Sequence, residues 1–329
     1  SLADIVFAGR RQRAATALRS ALLIGAYGGE HVGDAAILGG VLLDLHNEFG
    51  LSEATVLSVR PAHTERLVAS LDTPVRVAIA RYDYGAIKET LDGVDALAFA
   101  GGPLMDLPRM LVKHLSAARR AARLGKPFLV HGIGVGPFSK FLSRWTARQI
   151  LLRATAISVR TNGAARDPIV KDLNPKVSAD PALAYLAGRK TLSRLAQDDR
   201  SRIDAVMRGT QGRRVIGINI RPIRHDWCPK GKAYAQNSEA EFYDELAADM
   251  EAYAAGSSRP VTFVFFPINP IQLGGSDLAA AFRLHRLVRG DVDFRVLEAD
   301  PDIDGVLYLL RKLDGAIAMR FHAAIFCLS

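Results

Sequence analysis

Short apolar runs alternate with helical patterns along most of the chain. Runs typical of buried strands lie at 21–25, 75–79, 95–100, 127–131, 154–159, 214–220, 261–266, 294–297 and 315–319. Between them, apolar residues recur at helical spacing, most clearly at 37–45, 110–124, 239–253, 278–288, 303–313 and 321–328. Strands that alternate with helices predict parallel sheets covered by helices on both faces.

A polar and basic stretch at 186–211 separates two series of these elements. We therefore predict an α/β protein with two Rossmann-like domains facing across a cleft, an N-terminal domain at 1–190 and a C-terminal domain at 191–329. The chain stops inside the last helical pattern, so we expect the second domain to be truncated at its end. Ligands of such sheets bind beyond the carboxyl ends of the strands, which directs attention to the turns that follow them.

The composition narrows the classes of partner. Hydrophobic residues make up 49% and charged residues 23% of the 329, as in a packed globular protein. The formal net charge of +9 favours anionic partners such as phosphorylated metabolites. Because the cations are dispersed and have no interleaved aromatic residues, we predict no nucleic-acid partner. The cysteines lack metal-ligand spacing and no other ligand cluster is evident, so we predict a cytoplasmic protein without a metal.

Glycine and aspartate mark the turns after the runs at 21–25 and 95–100. In the first turn, Gly33 precedes Asp34, which opens a helix and either caps it or contacts a substrate. In the second turn, Gly101 and Gly102 allow close backbone approach. Asp106 then orients a sugar hydroxyl or acts as a base, or else it only caps a loop. Glycine followed by a helix start is typical of a place where backbone amides meet an anion.

Two later turns carry glycine or arginine. Gly132, Gly134 and Gly136 remove side-chain bulk, so that either a ligand or the opposing domain can lie on this turn, unless chain geometry alone requires them. Arg160 follows the run at 154–159. Its guanidinium suits a carboxylate or phosphate, and the alternative is an interdomain salt bridge.

Arg320 and His322 directly follow the last apolar run. Arg320 supplies a fixed positive charge, and His322 can exchange a proton near neutral pH. At a strand-to-helix turn both side chains would face the same cleft, which favours a functional role over packing alone.

In this order, these features resemble the polysaccharide pyruvyl transferase family. The resemblance rests on Gly33-Asp34, Gly101-Gly102 with Asp106, Gly132 to Pro137, Ser158-Val159-Arg160, Ala179-Asp180-Pro181 and Arg320-Phe321-His322. It extends from Leu22 to the end of the chain. It implies a glycosyltransferase-B-like fold and phosphoenolpyruvate as the donor substrate, with no other cofactor.

The resemblance also implies roles for individual residues. Arg320 and His322 would form the donor site, Arg160 would join them, and His322 would act as general acid or base. The acceptor would be a sugar or lipid-linked oligosaccharide in cell-surface or exopolysaccharide biosynthesis, used by an enzyme that is either free in the cytoplasm or peripheral to the inner membrane. The alternatives are a nucleotide-sugar-dependent glycosyltransferase of the same shape and an inactive relative that binds a sugar or phosphate.

Overall fold

The computed structural model describes residues 18–25, 27, 32–100, 102–223, 236–269, 275–289 and 292–329. They form two compact units, of which the first ends at Gly188 and the second begins at Arg189, with Val32 and Gly33 grouped with the second. Each unit contains its own parallel sheet.

The strands of the first unit are short, and those inside the sheet are largely buried, in contrast to the two edge strands. The strands are β1 Ser20–Ile24, β2 Glu53–Ser58, β3 Arg76–Arg81, β4 Ala96–Phe99, β5 Pro103–Leu104, β6 Phe128–Val135, β7 Ala156–Val159 and β8 Lys176–Val177. The strand order is β3-β2-β1-β4-β6-β7-β8, with β5 paired to β6, and the pairings are parallel. The central strands β1 and β4 are almost wholly buried, as in a sheet covered on both faces.

Helices follow most of these strands and cover the sheet. They are α1 Val32–Phe49, α2 Pro61–Ala69, α3 Tyr84–Gly93, α4 Pro108–Arg123, α5 Phe141–Leu151, α6 Asn162–Ala165 and α7 Pro181–Ala187. The core between sheet and helices includes Leu22, Phe99, Val130 and Ile150, all of which are buried. Each helix that follows a strand begins at the carboxyl edge of the sheet, which is the edge where ligands bind in this class of fold.

The second unit repeats the pattern on a smaller scale. Its strands are β9 Arg214–Asn219, β10 Val261–Phe265, β11 Asp293–Val296 and β12 Gly315–Ala318, and its helices are α8 Gln197–Val206, α9 Gln236–Gly256, α10 Asp277–Leu287, α11 Ile303–Leu310 and α12 Phe321–Leu328. The strand order is β11-β10-β9-β12, again in parallel pairing. None of the described helices in either unit combines the length and apolar character needed to cross a lipid bilayer.

The predicted α/β class with two Rossmann-like units is confirmed. The elements β2, α2 and α3 were not predicted from the sequence, because β2 contains no long apolar run and the two helices have little apolar surface. Of their residues, α2 buries only Thr64 and Leu67, and α3 buries only Ile87 and Leu91. Such short amphipathic segments give a weak periodic signal.

The strand β6 continues through the glycine-rich segment that was interpreted from the sequence as a turn. Its pairing with β7 shifts register between Val130 and Ile133, and Gly132 within this bulge has a φ angle of +61°. A β-carbon on Gly132 would lie 2.5 Å from Cδ of Pro181. The group that packs on Gly132 is therefore Pro181, the first residue of α7 in the same unit.

The helix α1 approaches the same proline from another side. A β-carbon on Gly40 would lie 2.1 Å from the carbonyl oxygen of Pro181, and one on Gly39 would lie 2.6 Å from the ring of Tyr185. The Tyr185 hydroxyl accepts a hydrogen bond of 2.9 Å from the backbone amide of Asp72. The start of α7 therefore lies against backbone that has no room for a side chain.

Replacing Gly40 by Ala should destabilise the first unit, because the new methyl group would overlap the backbone of Pro181 rather than a movable side chain. We expect a loss of about 1–3 kcal/mol or more in the free energy of unfolding, measured by urea titration followed by circular dichroism. The matched control is Gly93→Ala at the end of α3, where a β-carbon meets nothing within 4 Å. Equal stability of the two variants would contradict this account of the packing.

Candidate functional site

The topological switch point of the second sheet lies between β9 and β12. The strand β9 has β10 on one side and β12 on the other, and Ala318 of β12 pairs with Asn219 at the end of β9. The connection that leaves β9 leads to β10 on one side, whereas β12 lies on the other side of β9, and ligands of this class of fold bind at the carboxyl ends of strands at such a point. Asn219 and Arg320 lie at this point, Arg320 being the N-cap residue of α12.

Arg320 is buried and is held by two acceptors in its own unit. Its Nε donates to Oδ1 of Asp277 at 2.6 Å, and its Nη2 donates to the carbonyl oxygen of Gly275 at 2.7 Å. Within the described part of the chain, Nη1 makes no hydrogen bond. These contacts fix the plane of the guanidinium and leave one edge of it for an anion.

Asp277 is completely buried and has both oxygens occupied. Its Oδ2 accepts hydrogen bonds from the backbone amides of Ile268 and Asn269 at 3.1 and 3.0 Å, in addition to the Arg320 bond on Oδ1. Burial raises the pKa of Asp277, and the positive charge of Arg320 and the donated hydrogen bonds oppose that rise. A buried charge of this kind is tolerated only while it is paired, so Asp277 and Arg320 depend on each other as an ion pair.

Asn219 completes this cluster and was missed by the sequence analysis. Its Nδ2 donates to the carbonyl oxygen of Phe266 at 2.9 Å, and its buried Oδ1 has no hydrogen-bond partner among the described residues. Asp277 was missed as well, because a Ser-Asp pair at the start of a helical pattern indicates only a cap. The one available signal was that Asn219 ends an apolar strand, where a buried amide is out of place.

His322 lies in the first turn of α12, two residues after Arg320, and its side chain is buried. Its ring is 5.4 Å from that of Phe321, centroid to centroid. Because the free amides at the start of a helix attract negative charge, an anion held by Arg320 would also lie near these amides. The structure thus brings the two predicted residues to the same strand-to-helix turn.

The switch point of the first sheet lies between β1 and β4, whose ends pair at Ile24 and Phe99. Gly102 lies just beyond β4, is buried and has a φ angle of +89°, whereas Gly101 lies outside the described residues. Gly33 and Asp34 are buried in the first turn of α1. Since α1 begins at Val32, Asp34 lies inside the helix and not at the N-cap where the capping interpretation put it.

Asp106 accepts hydrogen bonds from the two residues that precede helix α5. Its Oδ2 accepts hydrogen bonds from the hydroxyl of Ser139 at 2.6 Å and from the backbone amide of Lys140 at 3.1 Å, at the start of α5. Burial disfavours the ionised carboxylate, but the hydrogen bonds from Ser139 and Lys140 outweigh it and lower the pKa of Asp106. The arrangement matches the loop-capping alternative. It suits a carboxylate that accepts hydrogen bonds better than one that acts as a general base.

Arg160 forms an ion pair within the first unit. Its Nη1 lies 3.1 Å from Oδ2 of Asp180, while Oδ1 of Asp180 accepts from the amide of Ala182 and so caps α7. Arg160 therefore forms a salt bridge inside its own unit, and the interdomain salt bridge considered from the sequence stays a prediction. Arg320 belongs to the other unit, and the approach of Arg160 to Arg320 stays a prediction.

The bulge in β6 carries a buried polar network. Nε2 of His131 lies 2.8 Å from Oδ2 of Asp44, and Nδ1 is hydrogen-bonded to the hydroxyl of Ser158 at 2.9 Å. The same hydroxyl oxygen accepts a hydrogen bond from the backbone amide of Gly132. A carboxylate only accepts, so Nε2 of His131 carries a hydrogen and donates it to Asp44. The order resembles that of a hydrolase triad, but Ser158 is only 3% exposed, and the network holds the bulge instead. Gly134, farther along β6, is a buried residue paired with Pro103 of β5.

Solved structures share this fold at low sequence identity. UDP-GlcNAc 2-epimerase from Neisseria meningitidis, bound to UDP-GlcNAc, aligns with a TM-score of 0.58 and 11% identity over 92% of this chain and 77% of its own. A glycosyltransferase from Rickettsia africae aligns with a TM-score of 0.52 and 11% identity over 92% of this chain and 73% of its own. At such identity these similarities support the glycosyltransferase-B-like fold alone.

Sequence comparison identifies the family. No curated protein matches the chain. The sequence model of the polysaccharide pyruvyl transferase family, in contrast, matches residues 31–329, a range that contains the switch point of the second sheet and every site residue predicted from the sequence. Because the match spans nearly the whole chain, the protein belongs to the polysaccharide pyruvyl transferase family.

Proposed function

We propose that the protein transfers pyruvate from phosphoenolpyruvate to two hydroxyls of a sugar as a ketal, in the biosynthesis of cell-surface or exopolysaccharides in the cytoplasm. The observation that carries the proposal is the fixed guanidinium of Arg320 at the switch point of the second sheet, in a chain of this family. An anionic donor needs such a group, and phosphoenolpyruvate carries both a carboxylate and a phosphate.

Arg320 is suited to hold one anionic group of the donor. Asp277 and Gly275 fix two of its nitrogens, so that the third can donate to an oxygen without loss of side-chain freedom on binding. The first amides of α12 add donors on the same side. The buried Oδ1 of Asn219 can accept a hydrogen bond from a hydroxyl group of either substrate.

His322 is proposed as the group that moves the proton. Protonation of the methylene carbon makes the adjacent carbon of phosphoenolpyruvate electrophilic, and the first sugar hydroxyl adds there with loss of its proton. The C–O bond to phosphate then breaks, phosphate leaves with the electron pair, and the second hydroxyl closes the ketal. The two hydroxyl protons end on the new methyl group and on phosphate. A positioned acid or base of this kind contributes about 10²–10⁴ in rate.

The acceptor is assigned to the carboxyl edge of the first sheet. Asp34 is proposed to orient or deprotonate a sugar hydroxyl from the first turn of α1, with Gly33 and Gly102 allowing close approach. Asp106 is the weaker candidate for a base, since its carboxylate already serves the amide and hydroxyl of Ser139.

A nucleotide-sugar glycosyltransferase is the competing function, and the fold shared with the Rickettsia africae glycosyltransferase favours it. Family membership favours phosphoenolpyruvate. A donor screen decides: the full chain is incubated with lipid-linked and nitrophenyl sugars and with either phosphoenolpyruvate or a panel of nucleotide sugars. We expect phosphate release and pyruvyl-modified acceptor only with phosphoenolpyruvate. Turnover of a nucleotide sugar, or ligand binding without any product, would contradict the proposal.

Arg320→Lys keeps the positive charge, but an ammonium group cannot hold Asp277 and Gly275 and at the same time donate a hydrogen bond to the substrate, as the guanidinium is proposed to do. We expect kcat/KM for phosphoenolpyruvate to fall about 10–100-fold, the effect of one lost charge-assisted hydrogen bond. The matched control is Arg189→Lys, since Arg189 forms a similar buried pair with Asp304 in the same unit. Both variants should lose thermal stability, but only Arg320→Lys should lose donor affinity. Equal kcat/KM in the two variants would remove Arg320 from the donor site.

His322→Gln retains hydrogen bonding but cannot exchange a proton at neutral pH. We expect kcat to fall about 10²–10⁴-fold while the dissociation constant of phosphoenolpyruvate, measured by calorimetry, changes little. His285→Gln on α10 is the control, because that histidine is exposed and its ring lies against the ring of Phe294. Near-normal turnover of a folded His322→Gln protein would exclude His322 from the mechanism.

A further inference from the structure

The first unit carries an exposed amphipathic surface at the carboxyl edge of its sheet. We define the amphipathic patch as the apolar residues Leu107, Phe141, Leu142 and Trp145 together with the cations Arg109, Lys140 and Arg144. Phe141 and Leu142 are 78% and 73% exposed, and Trp145 and Leu107 are each 46% exposed. Large apolar side chains clustered at such exposure are typical of an interaction surface.

Two segments of backbone form the patch, and their positions are fixed. Phe141, Leu142 and Trp145 lie in the first turns of α5, where Trp145 shares a helix face with the other two. Leu107 directly precedes α4. Asp106 joins the segments, because its carboxylate accepts hydrogen bonds at the start of α5. The opposite face of α5 is buried in the core, so the apolar residues of the patch are additional to those that fold the unit.

The three cations of the patch, Arg109, Lys140 and Arg144, make no ion pair within the described part of the chain. Farther along α5, Arg148 contrasts with them, because it is paired with Asp172. Unpaired cations around aromatic and aliphatic side chains match the surface of an anionic bilayer, where lipid phosphates neutralise the charge and apolar side chains enter the interface.

The charge also distinguishes a bilayer from a second copy of this chain. A twofold dimer through the patch would place each surface against itself, and would bring Lys140 and Arg144 near the same cations of the other copy. Repulsion would oppose that contact, whereas an anionic membrane removes it. Tryptophan is moreover enriched at the boundary between membrane and water, and helices that lie in this boundary carry tryptophan, phenylalanine and leucine on their apolar face.

We propose that the amphipathic patch binds the surface of an anionic lipid bilayer, peripherally and without a spanning helix. This proposal stands on the patch alone and does not depend on the reaction that the protein catalyses. The carboxyl edge of the first sheet, where Gly102 and the first turn of α1 also lie, would then face the lipid headgroups. A sugar carried on a membrane lipid would be presented to that edge.

Co-sedimentation of the full chain with sucrose-loaded vesicles tests the proposal. We expect binding to vesicles containing phosphatidylglycerol, little binding to pure phosphatidylcholine, and loss of binding at high salt. Each cation near an anionic surface strengthens binding about fivefold, so the double variant Lys140→Glu with Arg144→Glu should weaken binding at least about 25-fold. Leu142→Glu should weaken it at least about tenfold. Trp145→Phe should keep binding and abolish the fluorescence blue shift that vesicles cause.

Control variants come from the far end of α4, at the opposite edge of the sheet. Arg119→Glu with Arg123→Glu repeats the four-residue spacing of the charge variant, and Leu124→Glu changes an exposed leucine. Both should bind vesicles as the parent does, with melting temperatures measured for every variant. Equal loss in patch and control variants, or equal binding to both vesicle types, would overturn the proposal. So would a dimer in sedimentation velocity that Leu142→Glu dissociates while vesicle binding persists.

Discussion

The first unit depends on one close contact, the packing of Pro181 against backbone that carries no β-carbon. Gly40 in α1 and Gly132 in the β6 bulge leave room for this proline, and a methyl group at either position would overlap it. Because Pro181 begins α7, the same contact fixes Asp180, which caps that helix and pairs with Arg160. The orientation of Arg160 thus follows from steric exclusion at two glycines, transmitted through a cap and an ion pair.

The second unit contains two buried ion pairs, and the position of each pair decides what it can do. Arg189 with Asp304 and Arg320 with Asp277 are both buried arginine–carboxylate pairs. Burial requires each charge to be compensated in either case. Only Arg320 follows β12 at the switch point, next to Asn219 and the first amides of α12. The partner of Arg189, Asp304, instead lies in the helix after β11, which is the edge strand of the second sheet. A buried arginine is therefore a candidate site only where the topology opens a crevice beside it.

The periodic pattern predicted the two sheets, most strands and the turns at their carboxyl ends, because burial between helices makes central strands continuously apolar. It predicted Arg320 and His322 for the same reason, since they adjoin such a strand. It did not predict Asp277, whose partner is 43 residues away in sequence and whose local setting looks like an ordinary cap. Nor did it predict that Gly132 seats Pro181. Contacts of this kind depend on how elements pack, which no local pattern contains.

One geometric rule explains why the features of the first unit share an edge. In a parallel sheet every strand ends at the same edge, and the helix that follows begins there with free amides. Asp106 accepts hydrogen bonds from the amides of Ser139 and Lys140, just before α5, and so holds the loop that carries Leu107 near the start of that helix. A residue that resembles a family motif thus supports a surface, and one oxygen of its carboxylate is already engaged. This distinction between the residue that makes a site and the residue that positions it requires the hydrogen bonds, and spacing along the chain cannot supply it.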